Sequence, residues 1–174
     1  MKKLEDFVIT IPDFPEEGIM FRDVTSILKD ADGLKLSIDL LMDSIKDIDF
    51  DVIVGPESRG FIFAMPICYN LNKPFVMIRK KGKLPRETAE IEYDLEYGST
   101  VMEIHKDDIK PGDKVVIIDD LIATGGTTKA MIDLIESLGG EVVCVSCVME
   151  LLGLNGRDKL KGYNVRSVIS YEGK

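Results

Sequence analysis

Tryptophan is absent from this 174-residue chain, histidine occurs once and cysteine three times. Three cysteines in a chain of this size argue against a disulfide framework and for a reducing compartment. Cys144 and Cys147 stand as a CxxC, but within VVCVSCV, a strand pattern with no further ligands, so they are read as buried structural thiols rather than a zinc or redox site. His105, the lone histidine, has no serine or cysteine nucleophile motif beside it and is assigned only a strand-end position. The start MKKLEDFVIT leads into no long apolar stretch and no small-residue cleavage site, which predicts a cytoplasmic protein without a membrane segment. Low-complexity tracts and internal repeats are also missing. No Gly-Lys-Ser/Thr follows the glycines of the turn ATGGT, residues 123–127, which excludes a Walker loop, and Gly125 and Gly126 are adjacent rather than spaced, which disfavours a dinucleotide fingerprint. Positive charge is in short supply: Lys and Arg total 22 against 31 Asp and Glu, a net charge of −9. That balance repels nucleic acid and anionic membranes.

What is present suits a globular fold, with 45% hydrophobic and 30% charged residues, and the length predicts a single domain over residues 1–174. Leu34, Ile38, Leu41, Ile45 and Ile48 recur at helical spacing. Apolar strand patterns follow at 51–54, 74–78, 115–118, 142–148 and 165–169, with a crossover helix over 60–71 and another after residue 128 that carries Ala130, Met131, Leu134, Ile135 and Leu138 inward and stops at Gly139-Gly140. Helices alternating with strands predict an α/β fold with an open, mainly parallel sheet flanked by helices. The interval from Gly82 to about Gly112 is too long for an ordinary connection; short antiparallel strands are expected at 91–93 and 100–104, with residues 82–100 forming a mobile hood. The eight methionines are scattered and are read as core filling.

The most informative stretch is VVIIDDLIATGGTT, residues 115–128. Four apolar β-branched residues form a strand buried on both faces, and Asp119 and Asp120 follow at its carboxyl edge, where open α/β sheets bind ligands. Paired carboxylates there suit vicinal hydroxyls. Ala123, Thr124, Gly125, Gly126 and Thr127 then offer small side chains, hydroxyls and backbone N–H groups ahead of a helix, which suits a phosphate. A diol binder beside a phosphate cradle predicts a ribose 5-phosphate ligand. Such an anion needs a local reversal of the chain's sign, and RKKGKLPR, residues 79–86, supplies it with Arg79, Lys80, Lys81, Lys83 and Arg86 and no acid.

The 115–128 stretch resembles the phosphoribosyl pyrophosphate (PRPP) signature of the type I phosphoribosyltransferases, whose fold the chain is then expected to share. GPESRGF, residues 55–61, is similar to that family's pyrophosphate loop; the resemblance makes Arg59 a planar grip on phosphate oxygens and implies a cis peptide at Glu57-Ser58. PDFPEEGIMFRDVT, residues 12–25, looks like the base-recognition segment, about residues 10–30, of the adenine phosphoribosyltransferases. There Phe21 would stack on the purine, backbone groups near Met20 and Arg22 would read the base edge, and Leu151, in MELLGLNG, would close the slot. The FRD segment favours adenine over a 6-oxo purine such as guanine or xanthine. The resemblance further implies Arg59, Arg79, Lys80 and Lys83 as pyrophosphate partners, Glu96 as an acid/base on the hood with Tyr97 beside it, and Mg²⁺ held largely through substrate oxygens. Adenine and PRPP would give AMP and pyrophosphate, within a homodimer whose partner helps complete the site.

Overall fold

The computed structural model describes residues 2–95 and 98–173; Glu96 and Tyr97 lie outside the described residues. A two-stranded hairpin, β1 (Ile9–Pro12) and β2 (Met20–Asp23), precedes helix α1 (Ala31–Ile45). Then come β3 (Val52–Pro56), α2 (Arg59–Leu71), β4 (Phe75–Lys80), β5 (Thr88–Asp94), β6 (Ser99–His105), β7 (Lys114–Ile122), α3 (Gly126–Ser137), β8 (Glu141–Leu151) and β9 (Val165–Tyr171). The main sheet has the order β5-β6-β4-β3-β7-β8-β9. Strands β4, β3, β7, β8 and β9 pair in parallel, and β5 and β6 add antiparallel at one end.

Helices form where the apolar spacing demands cover. Asp30 caps α1 by accepting from the Asp32 and Gly33 amides, and Ile38, Leu41 and Ile45 turn inward from it. Alternation along β7 divides the core in two: Val116 and Ile118 pack with α1 and α2, while Val115 and Ile117 pack with α3. All four side chains are excluded from solvent.

Several expectations are corrected. The helix starting near residue 34 ends at Ile45, leaving Ile48 beyond it. Strand β7 does not stop at Ile118 but continues through both acids to Ile122, because its ladder with β8 supplies backbone partners past them, with Asp119 opposite Cys147 and Leu121 opposite Met149. Strand β8 likewise reaches Leu151. Segment 12–25 contains the irregular turn 13–19 of the β1–β2 hairpin and all of β2; both strands have four residues, and their lack of clear alternation left the hairpin unread in the sequence. The antiparallel strands of the 82–112 interval are longer than 91–93 and 100–104, and β6 pairs with β4 through Arg79↔Glu103 and Lys80↔Met102, which joins this hairpin to the sheet. Met20, Met65 and Met77 are exposed and do not fill the core.

Candidate active site

The carboxyl ends of β3 and β7 lie side by side in the sheet and open onto a cavity of about 490 Å³. From β3 comes the loop through Glu57 and Ser58, whose shared peptide is cis, leading into Arg59 at the start of α2. From β7 come Asp119 and Asp120, followed by the turn Ala123, Thr124, Gly125 that opens α3 at Gly126 and Thr127. All of these border the cavity, as does Lys80 at the end of β4. Gly60 makes the close approach possible: a Cβ there would lie 2.5 Å from Pro56 Cδ and 3.2 Å from Asp119 Oδ1.

Successive strand residues point to opposite faces, yet Asp119 and Asp120 border the same space, and they are 6% and 5% exposed. Burial, reinforced by the neighbouring Asp120 charge, pushes the Asp119 carboxyl well above the usual aspartate range. Asp119 Oδ1 accepts from the Asp120 amide at 2.7 Å. Arg59 Nε lies 2.7 Å from Asp120 Oδ2, but its N–H is not aimed at that oxygen, which is left buried without a hydrogen bond. An orphaned carboxylate oxygen facing a polar cavity is suited to a ligand hydroxyl or a hydrated cation. No cluster of three or more metal-ligating side chains occurs among the described residues, so Mg²⁺ fits here only if substrate oxygens and water complete its shell.

The other nominated residues fall elsewhere. Arg79 does not reach the cavity: its Nε donates to Glu57 Oε2 at 3.0 Å and its Nη1 to the Lys83 carbonyl at 3.3 Å. Burial alone would raise the Glu57 carboxyl, but the Lys80 amide and the Arg79 guanidinium together hold it below the ordinary value. Lys83 is exposed, and its amide, with that of Leu84, donates to the buried carboxylate of Glu103. Neither Arg79 nor Lys83, expected as pyrophosphate partners, borders the cavity that Arg59 lines: Arg79 pairs with Glu103 in the β4–β6 ladder and turns to Glu57, and the Lys83 amide is held by the Glu103 carboxylate.

The base-recognition candidates form a separate group. The Phe21 ring meets Phe14 edge-on at 5.1 Å, Met20 is exposed, and the Arg22 guanidinium lies 4.4 Å over the Tyr171 ring while donating to Thr10. Tyr171 stands opposite Leu151 in the β8–β9 ladder, so Arg22 and Leu151 share one neighbour. Sequence reasoning missed Tyr171, as well as Glu57, Ser58, Leu121 and Thr128 at the cavity wall. Glu57 and Ser58 sit beside Arg59 in GPESRGF and could have been nominated with it; nothing local marks Tyr171. The expected roles of Cys144 and Cys147 match their burial as free thiols, and His105 ends β6, its Nε2 accepting from the Arg86 amide at 3.3 Å.

Paired acids at a parallel strand end, ahead of a glycine turn and facing an arginine loop, are the site of a sugar-phosphate transferase, and the chain belongs to the phosphoribosyl transferase domain family, whose profile matches residues 23–172. Its relatives narrow the class. The chain is 68% identical, over all of both sequences, to the adenine phosphoribosyltransferase of Lachnoclostridium phytofermentans. Its fold matches the crystal structure of the adenine phosphoribosyltransferase of Thermoanaerobacter pseudethanolicus with a TM-score of 0.91 at 48% identity, covering 97% of this chain and 100% of that one. The Saccharomyces cerevisiae adenine phosphoribosyltransferase, solved with adenine and an imino-altritol bisphosphate, matches with a TM-score of 0.88 at 39% identity over 95% of this chain and 96% of its own.

Proposed function

We propose that this chain transfers the 5-phosphoribosyl group of PRPP to N9 of adenine, giving AMP and pyrophosphate, a purine salvage reaction. One observation carries the reading: the Asp119–Asp120 pair, the Ala123–Thr127 turn and the Arg59 loop meet at a single cavity. These suit the diol, the 5-phosphate and the pyrophosphate of one molecule. In the reaction N9 bonds to C1 of the ribose as the C1–oxygen bond breaks, pyrophosphate leaves with the electron pair, and the imidazole-ring N–H proton of adenine passes to a base. Positive charge grows on the sugar and negative charge on the leaving group. Asp119 and Asp120 hold the 2- and 3-hydroxyls and present a negative field to the sugar. Arg59 and Lys80 face the departing pyrophosphate, whose charge Mg²⁺ would further neutralise when bound. Glu96, outside the described residues, is assigned the acid/base role, and Tyr97 a contact to the substrate.

For the base, Phe21 stacks on the purine, backbone groups near Met20 and Arg22 meet its edge and Leu151 closes the slot. The shared neighbour Tyr171 supports this grouping. Residues 82–100 act as a hood over the reaction centre within a single domain spanning 1–174. The Asp94 carbonyl supports that placement, lying 3.6 Å from where a Gly126 Cβ would stand.

The protein acts as a homodimer. Ile62, Met65 and Tyr69 leave an apolar stripe on the outer face of α2 at spacings of three and four, with Tyr69 87% exposed and Met77 on β4 exposed with it. Arg79 shares the face of β4 that carries Met77, so a second copy seated on this stripe would meet Arg79 and the Lys83 loop. No helix of the described residues is long and apolar enough to cross a membrane, and the three free buried thiols support a cytoplasmic location. The test mixes protein, Mg²⁺ and PRPP with adenine, guanine or xanthine and measures released pyrophosphate. Release with adenine is expected; release only with a 6-oxo purine, or with no base, defeats the reading.

A further inference from the structure

The phosphate cradle does not support itself. Gly125 adopts a φ of +77°, and a Cβ built on it would lie 2.4 Å from the Gly156 carbonyl oxygen. In return, a Cβ on Gly156 would lie 2.4 Å from the Ala123 carbonyl oxygen and 3.1 Å from the Gly125 nitrogen. Backbone packs on backbone at a separation that no side chain tolerates, so the position of the segment after β8 sets the position of the cradle turn.

That segment is itself clamped. Arg157 Nε and Nη2 donate to the two oxygens of Glu150 at 2.7 and 2.8 Å, and its Nη1 donates to the Val165 carbonyl at 3.0 Å. The Ser167 hydroxyl donates to Glu150 Oε2 at 2.9 Å. Glu150 is 2% exposed and stands opposite Ile122, the residue that precedes the cradle, in the β7–β8 ladder. A planar guanidinium fork held on three sides fixes direction as well as distance. The same segment brings Lys159 Nζ to 3.7 Å from where a Gly126 Cβ would stand, placing an ammonium beside the first residue of α3.

We infer that residues 156–159 are a bracing arm for the 5-phosphate cradle, with Glu150 and Arg157 as positioning residues that hold the Gly156 backbone against Ala123 and Gly125. The inference rests on the reading of the cavity as a PRPP site. It predicts a selective defect, because the arm packs against the phosphate turn, whereas Arg59 reaches the cavity from the separate loop after β3.

Calorimetry on the full chain, titrating ribose 5-phosphate and pyrophosphate separately, tests it. Gly156→Ala and Arg157→Ala are expected to weaken ribose 5-phosphate binding roughly tenfold or more while pyrophosphate binding stays within about twofold, since small displacements of a pre-set site are strongly felt. Arg157→Lys, which keeps the charge but loses the fork, is expected to fall between Arg157→Ala and the unmodified protein, and it decides the matter alone if the alanine variants do not fold. Unchanged ribose 5-phosphate affinity in any folded variant overturns the bracing arm, and so do equal losses for both ligands. If the unmodified protein fails to bind ribose 5-phosphate, the PRPP reading falls first and the arm with it.

Discussion

Arg59 Nε approaches Asp120 Oδ2 to 2.7 Å across the mouth of the cavity, joining the loop after β3 to the strand end of β7 without a well-aimed hydrogen bond. A guanidinium so placed is free to turn toward an incoming anion while Asp120 turns to a hydroxyl. Arg59→Ala should lower kcat/KM for PRPP roughly 100-fold, the scale seen when one donor to developing negative charge is removed. Arg59→Lys should recover only part of this, because a single ammonium cannot reproduce the fork. Steady-state kinetics at saturating adenine decides it, and an Arg59→Ala enzyme within a few-fold of the unmodified one removes Arg59 from the chemistry.

Asp119 sets stability against function. Its folded carboxyl titrates above the unfolded range because burial and the Asp120 charge disfavour ionisation. The native state therefore holds an extra proton in the window between the ordinary aspartate value and the raised one. The associated stability is complete below that window and is lost as pH rises through the folded value. Asp119→Asn should remove this decline and raise the melting temperature near neutral pH. It should also weaken ribose 5-phosphate binding. A lower melting temperature at neutral pH would contradict the account.

Phe21 should carry base affinity alone. Stacking of a base on an aromatic ring is worth about 1–3 kcal/mol, so Phe21→Ala should raise KM for adenine at least about tenfold with little change in KM for PRPP. Equal effects on both constants would point to a general role of the hairpin instead.

The apolar stripe on α2 predicts association. A Met65→Glu, Tyr69→Glu double variant should sediment as a monomer and show an increased KM for PRPP, because Arg79 and Lys83 would then lack a neighbouring site to serve. A monomeric unmodified protein with full activity would refute the dimer.

The thiols should be inert in the native state. Burial pushes Cys68 and Cys144 up to about 11 and raises Cys147 well above the ordinary thiol range. Iodoacetamide at pH 8 should label none of the three until denaturant is added, as mass spectrometry would report.

Much of this was legible in the sequence because it is local. The β7 run, the acids and the glycine turn are contiguous, and burial on both faces of a parallel strand leaves an unmistakable apolar signature at Val115 to Ile118. The α1 face was equally plain from its spacing. What escaped depends on contacts between distant segments. Strand β7 outlasts its apolar run because β8 lies alongside, and no window on residues 119–122 contains that fact. The turning of Arg79 toward Glu57, the approach of Gly156 to Gly125 and the placement of Tyr171 under Arg22 are likewise products of the assembled sheet. The β1–β2 hairpin escaped for another reason: short, half-exposed strands bury too little to impose alternation.

Burial of Val115 to Ile118 on both faces has a consequence for how the protein fails on heating. The two carboxylates are attached to a rod flanked by paired strands on either edge and excluded from solvent, whose amides should exchange only on global unfolding. Fraying at the termini leaves that rod untouched, so thermal inactivation should track the cooperative melt of the whole domain and show no earlier, local phase.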